Sequence, residues 1–126
     1  MADKKHDIGI ATRVAFIDDQ SDAGQGRYVF AYTITITNAG SVAVQLVSRH
    51  WIITDADNQV QEVKGSGVVG EQPCLRPNES FEYTSGTAIA TPVGTMRGSY
   101  RMVAEDGADF DVPIPEFTLA APRVLH

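Results

Sequence analysis

The segment RYVFAYTITITN, residues 27–38, shows the clearest alternation of large apolar side chains with smaller or polar ones in the chain. Successive side chains of a β-strand point to opposite faces of its sheet, so this period of two predicts a strand with one buried face. The polar face carries Thr33, Thr35 and Thr37. The predicted core face carries Tyr28, Phe30, Tyr32, Ile34 and Ile36.

Two neighbouring segments have the same period. The first, IATRVAFI, predicts a strand before an acidic, glycine-containing loop, and the second, VAVQLVSRHWIITD, predicts a longer strand after the turn at residues 38–41. Strict alternation would place Ile10, Thr12, Val14 and Phe16 on one face of the first strand. In the second it would separate Val44, Leu46, Ser48, His50 and Ile52 from Val47, Arg49, Trp51 and Ile53.

Turn signals separate these strands from several others. Asp57-Asn58, Pro77-Asn78 and Asp106-Gly107 are pairs typical of tight turns, and no segment keeps a period of 3.6 residues for three helical turns. The sequence therefore predicts an all-β, antiparallel β-sandwich of the immunoglobulin or fibronectin type III kind, with seven or eight strands, and leaves a barrel as the alternative. A chain of 126 residues is expected to form one domain, with residues 1–7 disordered.

Charge and composition exclude several classes of function. A net charge of −6 disfavours nucleic-acid binding, which depends on Lys and Arg contacts with phosphates. The start, MADKKHDIGI, has no apolar signal-peptide core, and no stretch has the roughly 18 apolar residues of a membrane span, so we expect a cytoplasmic protein that does not itself cross a membrane. The single cysteine, Cys74, fits a reducing compartment.

Residues 65–70, GSGVVG, match the G-x-G-x-x-G pattern of a dinucleotide-binding turn. That turn requires a helix directly after the last glycine, but Pro73 and Pro77 follow it, and Glu71 stands where a P-loop requires lysine. We interpret the stretch as a mobile loop between two strands. A nest of backbone amides that binds an anion, helped by Lys64, is the alternative.

No residue pattern predicts catalysis or metal binding. Cys74 has no recognisable base, and the histidines have no ligand spacing. The acidic clusters fall in predicted turns and lack a complete calcium-loop pattern, so we interpret them as solvated turns and expect no cofactor. These candidates are His6, His50 and His126, and the clusters at Asp18, Asp19 and Asp22, at Asp55 and Asp57, and at Glu105, Asp106, Asp109 and Asp111.

The segments RHWIITDADNQVQEVKGSGVVGEQPCLRPNESFEYTSG, TPVGTMRGSYRM and FDVPIPEFTLAAP resemble the ApaG family of bacteria, and the resemblance runs from Tyr28 to Pro122. Asn58 and Asn78 replace frequent glycines of that family at turn positions, where asparagine tolerates the left-handed conformation. The resemblance implies a fibronectin-type sandwich without established catalytic activity, a link to cobalt tolerance and magnesium efflux, and a role in protein interaction.

Three functional hypotheses follow. The favoured one is a non-enzymatic module that binds another protein or peptide; the others are a protein that binds a nucleotide or dinucleoside polyphosphate at residues 65–70, and a weak Mg²⁺ or Co²⁺ regulator. Loops on a rigid sandwich are common contact sites, and Trp and Arg often anchor interfaces. For Trp51 we also weigh a purely structural role between the sheets. The predicted contact surface consists of Arg49, His50, Trp51, Gly65, Gly67, Gly70, Glu71, Gln72 and Pro73.

Overall fold

A computed structural model describes residues 5–122 and contains almost only β-strands. Two short 3-10 turns, Asp18–Gln20 and Ala23–Gln25, lie in the loop after the first strand. In chain order the strands are β1 (Ile8–Phe16), β2 (Tyr28–Asn38), β3 (Val44–Asp55), β4 (Val60–Ser66), β5 (Cys74–Leu75), β6 (Ser80–Ile89), β7 (Val93–Ala104) and β8 (Asp109–Ala120).

The strands form two antiparallel sheets. One has the order β1-β2-β6, and the other has the order β4-β3-β7-β8, with the short β5 paired to the start of β3. Edge strands β1 and β8 contact each other, which brings the two sheets together on that side of the sandwich. The opposite side is formed by the other two edge strands, β4 and β6. The predicted antiparallel sandwich of seven or eight strands is confirmed.

The alternating face of β2 supplies the centre of the core, as predicted. Phe30 and Ile34 are completely buried, and Tyr32 and Ile36 are nearly so, whereas Tyr28 at the strand start is only half-buried. The intervening threonines face outward, where the Thr33 hydroxyl hydrogen-bonds with the Thr84 hydroxyl of β6 at 2.8 Å. Packing of the apolar face against the second sheet is the main stabilising contact of the fold.

The predicted alternation of β3 is wrong beyond its first third. A β-bulge lies between Leu46 and Ser48, where the register with β7 shifts by one residue. A bulge inserts one extra residue and reverses the alternation after it. The core face of β3 therefore contains Val44 and Leu46 before the bulge, then Trp51, Ile53 and Asp55 after it, in place of Ser48, His50 and Ile52.

The turns form at the predicted pairs. Asn58 and Asn78 have positive φ angles of 61° and 72°, and Gly107 has φ 91°. These are conformations that asparagine and glycine adopt most readily.

At the N-terminus, residues 1–4 of the segment predicted to be disordered lie outside the described residues. Residues 5–7 run beside the turn that ends β2. The Lys5 carbonyl accepts a hydrogen bond from the Ser41 amide at 3.2 Å, and the Asp7 carbonyl accepts one from the Ala39 amide at 2.8 Å.

Candidate functional site: a cleft between strands β4 and β6

The predicted Arg49-His50-Trp51 segment is divided between two faces of its sheet. Its cross-strand partners on β4 are Gly65 for Arg49, Lys64 for His50 and Val63 for Trp51. Trp51 is on the core face, so Arg49 shares that face and His50 points away from it. These three residues therefore cannot form one continuous contact surface.

His50 belongs to an ionic group on the outer face. Its Nε2 atom lies 2.8 Å from a carboxylate oxygen of Glu62, which also lies 3.4 Å from Lys64 Nζ. Hydrogen bonds from His50 and then from Lys64 lower the pKa of the Glu62 carboxyl below its ordinary value. The group is solvent-exposed, so it contributes little to stability.

Trp51 is a core residue. Only 2% of it is exposed, and its ring packs edge-to-face against Tyr32 at 5.3 Å and Phe117 at 5.9 Å between ring centroids. Such contacts between aromatic rings stabilise the core beyond simple burial. The interpretation of Trp51 as a residue between the sheets is confirmed. Its Nε1–H is buried and makes no hydrogen bond of regular geometry within residues 5–122, but it interacts with the Tyr83 hydroxyl and partly offsets the rise that burial causes in the pKa of that tyrosine.

The glycine stretch is a structured segment that begins inside a strand. Gly65 and Ser66 end β4, so the predicted loop is wrong for these two residues. Val69 and Gly70, with φ 44° and 82°, form a tight turn that is closed by two backbone hydrogen bonds between Val68 and Glu71. The Val68 side chain is completely buried and fixes this turn to the core.

Residues 67–73 run alongside β3 at its bulge and are hydrogen-bonded to it. The Val47 carbonyl accepts hydrogen bonds from the Gly67 amide at 2.8 Å and from Gln72 Nε2 at 2.9 Å, and the Leu46 amide donates to the Pro73 carbonyl at 3.0 Å. The amides of Gly67, Val68 and Glu71 are therefore already bonded within the protein. A phosphate-binding nest needs free amides, so this geometry weakens the nucleotide hypothesis.

Arg49 also stabilises this segment. Its guanidinium donates hydrogen bonds to the carbonyl oxygens of Ser66 at 3.1 Å and Gly67 at 2.8 Å. Because Gly65 has no side chain, the guanidinium can lie directly against it on the core face. Arg49 thereby places a positive charge where the two sheets separate.

A cleft of about 380 Å³ opens between β4 and β6, beside Arg49 and Trp51. Gln61 Nε2 of β4 donates a hydrogen bond to the Ala88 carbonyl of β6 at 3.3 Å and bridges the two strands. The cleft is lined by Tyr32, Arg49, Trp51, Ile53, Gln61, Val63, Ser85, Gly86, Thr87 and Ala88.

Most of the residues in the cleft wall were not singled out in the sequence. Gln61, Val63 and residues 85–88 belong to edge strands, and the order of strands in the sheets decides which edges face each other. The one visible signal is the run of small residues Ser85-Gly86-Thr87-Ala88 that follows the aromatic residues Phe81 and Tyr83.

A pair of buried tyrosines lies near the Arg49 end of the cleft. The hydroxyl groups of Tyr83 and Tyr100 are 2.5 Å apart. Burial raises the pKa of Tyr83 to about 12 and raises the pKa of Tyr100 as well, and the nearby Arg49 charge opposes both shifts. Both hydroxyls therefore stay protonated at neutral pH and act only as hydrogen-bonding groups.

Within residues 5–122 the other candidate residues do not assemble into a site. Cys74 is exposed on β5, and His6 pairs with Asp106 at 2.9 Å. The Asp55 carboxylate accepts backbone hydrogen bonds inside its own turn, and Arg101 pairs with Asp109.

Residues 5–122 contain no group of three or more His, Cys, Asp or Glu side chains placed to hold a metal ion. The same part of the chain has no helix of the length and apolar character needed to cross a membrane. The remaining histidine, His126, lies outside the described residues.

Residues 18–104 match the ApaG domain family. This match includes the bulge of β3, the glycine stretch and both walls of the cleft. The chain belongs to the ApaG domain family. The Protein ApaG of Thiobacillus denitrificans is 69% identical over 123 residues, which are 98% of this chain and 97% of that protein. The Protein ApaG of Nitrosomonas eutropha is 65% identical over 124 residues, 98% of each chain.

A solved structure of this family has the same fold. The crystal structure of an ApaA protein from Bordetella pertussis superimposes with a TM-score of 0.93 at 54% identity, and the match covers 98% of this chain and 100% of that one. The sandwich with its two unequal sheets is therefore the fold of an ApaG relative as well.

Proposed function

We propose that this ApaG domain protein is a non-enzymatic module that binds another protein or a peptide at the cleft between β4 and β6. The observation that carries the proposal is that both sheets have a free edge on this side, with an open cleft between the two edges. Strand edges present unpaired N–H and C=O groups, which a partner chain can pair with.

The side chains of the cleft suit binding better than catalysis. Its charged lining residue is Arg49, and its other polar side chains are hydroxyl and amide groups and the Trp51 indole. General acid–base catalysis needs a group that gains or loses a proton near neutral pH, usually a histidine or a carboxyl group. Neither type lines the cleft within residues 5–122.

The apolar side chains of β4 also support a contact role. Val63 faces the cleft and is 39% exposed, and Val60 at the start of the strand is 61% exposed. Val63 packs beside the buried Trp51, its cross-strand neighbour. A partner that covers Val63 would extend the core outward and gain apolar contact area, whereas Val60, which pairs with Thr54, lies on the outer face of the sheet.

The cobalt and magnesium effects that the family resemblance implies would then be indirect. We propose that the protein acts in the cytoplasm through its partner and binds neither ion as its own function. Titration of the isotope-labelled protein with Mg²⁺ and Co²⁺ tests this part of the proposal. Saturable shifts at micromolar ion concentrations in the acidic turns would contradict it.

Site-specific photocrosslinking in cells tests the binding proposal. A photoreactive residue in place of Val63, in the cleft wall, should capture a partner, whereas one in place of Ala11, exposed on β1 at the far side of the sandwich, should not. The captured protein is then purified, and its affinity for the unmodified chain is measured by calorimetry. Equal capture at both positions, or no measurable affinity of the purified protein, would refute the proposal.

A titration with ATP and diadenosine tetraphosphate tests the nucleotide alternative. We expect the amide signals of residues 65–70 to show no saturable shift at micromolar nucleotide concentrations, because the Gly67 and Val68 amides are bonded within the protein and Glu71 adds a negative charge beside the turn. Saturation in that range would place the nucleotide hypothesis first.

A further inference from the structure

We infer that the cleft receives an extended acidic segment of the partner, which adds as a strand to the free edge of β6 at Gly86 and Ala88. Carboxylates at two adjacent positions of that segment would pair with Arg49 and Arg27. This inference rests on the proposed function and specifies the class of partner.

The β6 edge has backbone groups that point away from β2 at these positions. The Ala88 carbonyl accepts a hydrogen bond from Gln61 across the cleft, so it points away from β2 and towards the free edge. Along a strand the N–H and C=O groups of every second residue point to the same side, which places those of Gly86 on the free edge too. Residues 85–88 have small side chains that leave this edge uncovered.

Two arginines stand on opposite faces of this edge. Arg49 lies on the cleft side, and Arg27 lines a groove on the other side together with Gly86, Thr87 and Ala88. Val29 of β2, the cross-strand partner of Ala88, lines the same groove. Because Val29 is next to the inward-facing Phe30, its side chain points to the outer face of the sheet. The groove that contains Arg27 therefore lies on the outer face.

Both arginines have backbone carbonyl partners instead of carboxylates. Arg49 donates to Ser66 and Gly67, and Arg27 donates to the Gln20 carbonyl at 3.4 Å. Within residues 5–122 neither forms an ion pair, although the whole chain has an excess of acidic residues and Arg101, for comparison, pairs with two aspartates. The β6 edge therefore has positive charge available on each face.

The positions of the two arginines predict which residues the partner strand should carry. Adjacent side chains of an added strand point to opposite faces, so one carboxylate would face Arg49 in the cleft and its neighbour would face Arg27. Guanidinium and carboxylate groups form strong, directional hydrogen bonds.

The β4 edge fits an acidic segment less well. It carries Glu62, and its cation Lys64 and the neighbouring His50 are already engaged with that carboxylate. A second acidic group beside Glu62 would be repelled. The charges on the two edges therefore favour addition of an acidic strand at β6.

Synthetic peptides added to the isotope-labelled full chain test the inference. The probe is a peptide of about ten residues, the length of a long strand, with alternating Thr and Val and a central Glu-Asp pair. We expect saturable shifts in the amide signals of residues 85–88 and slower hydrogen exchange at Gly86 and Ala88. A Gln-Asn peptide should bind about tenfold more weakly, and added salt should weaken the acidic peptide selectively.

Two substitutions at one position separate strand addition from other contacts. Gly86→Pro removes the edge amide but leaves the pairing of β6 with β2 intact, because that amide points away from β2. Gly86→Ala is the matched control, since a Cβ at this position would lie 3.6 Å from its nearest neighbour, the Phe30 carbonyl oxygen. We expect the proline variant to lose peptide binding and the alanine variant to keep it, with both folded by circular dichroism. Arg27→Gln should weaken binding about tenfold.

The outcomes distinguish the inference from the proposed function. Equal affinity for the Glu-Asp and Gln-Asn peptides, no binding of the acidic peptide, or full binding by the folded Gly86→Pro variant would overturn the inference. If the crosslinked partner still binds the Gly86→Pro variant, the interaction function stands and the β6 strand-addition mode is wrong. If no purified partner binds the unmodified chain, the proposed function itself fails.

Discussion

The guanidinium of Arg49 lies against Gly65, its cross-strand neighbour on β4. A Cβ atom at position 65 would lie 2.8 Å from Arg49 Cζ, closer than ordinary contact allows. The absence of a side chain at this position lets Arg49 reach the carbonyls of Ser66 and Gly67. The packing of Arg49 therefore explains the glycine at position 65 of the G-x-G-x-x-G match without a bound phosphate.

Replacing Gly65 with Ala should displace Arg49 and weaken its two hydrogen bonds. The expected loss in the free energy of unfolding is about 1–2 kcal/mol, since a flexible side chain can move part of the way. Urea unfolding measures the loss, and Gly86→Ala is the control because its Cβ meets no close neighbour. In an Arg49→Met background the Gly65→Ala change should cost much less, so equal losses in both backgrounds would show that the two residues are not coupled.

Gly67 and Gly70 should respond differently to alanine. Both have positive φ, but a Cβ at Gly67 would overlap the Glu71 carbonyl oxygen, whereas one at Gly70 would have no atom within 4 Å. Gly70→Ala should cost only the left-handed conformation, roughly 1 kcal/mol, and Gly67→Ala roughly 2–4 kcal/mol. Thermal and urea unfolding of the two variants check the order. Similar losses for both would mean that the backbone at Glu71 moves freely.

The fold was predictable because its signals are local. Ile34 and Ile36 alternate with threonines over a length that only a half-buried strand explains, and Asn58 and Asn78 mark turns through their tolerance of positive φ. Neither inference needs knowledge of which strands become neighbours.

The β3 bulge and the cleft depend on partners distant in the chain. Val47 leaves the regular alternation, and its carbonyl accepts hydrogen bonds from Gly67 and from Gln72, which lies 25 residues further along the chain. The sequence does contain a trace of the bulge, because the large buried positions change from even to odd numbers between Leu46 and Trp51. Partly exposed apolar residues at Val47 and Ile52 obscure that change.

Replacing Ile34 with Ala should destabilise the protein by roughly 2–5 kcal/mol. Its side chain is completely buried in the centre of β2, and truncation leaves a cavity. Thr35→Ala, on the outer face of the same strand, should cost less than about 1 kcal/mol. The unfolding midpoints of the two variants measure the difference, and an unchanged midpoint for Ile34→Ala would contradict the assignment of this face to the core.

Stability should fall steeply above pH 10 because of the Tyr83 and Tyr100 pair. Burial raises the pKa of Tyr83 to about 12, and the pKa of Tyr100 is raised too, whereas an unfolded tyrosine titrates near pH 10. Below pH 10 both states keep these protons, so the stabilising contribution is complete. Above it the unfolded state loses them first, and each tyrosine lowers the free energy of unfolding by about 1.4 kcal/mol per pH unit until its folded pKa is reached.

The pair's contribution to this pH dependence can be isolated with Tyr83→Phe. This variant should be less stable at pH 8, by roughly 1–3 kcal/mol, because the buried Tyr100 hydroxyl loses its partner. Between pH 10 and 12, however, its stability should fall less steeply than that of the unmodified protein, since one of the two shifted groups is gone. Urea unfolding at half-unit pH steps gives both slopes. Equal slopes would show that Tyr83 ionises in the folded protein as readily as in the unfolded chain.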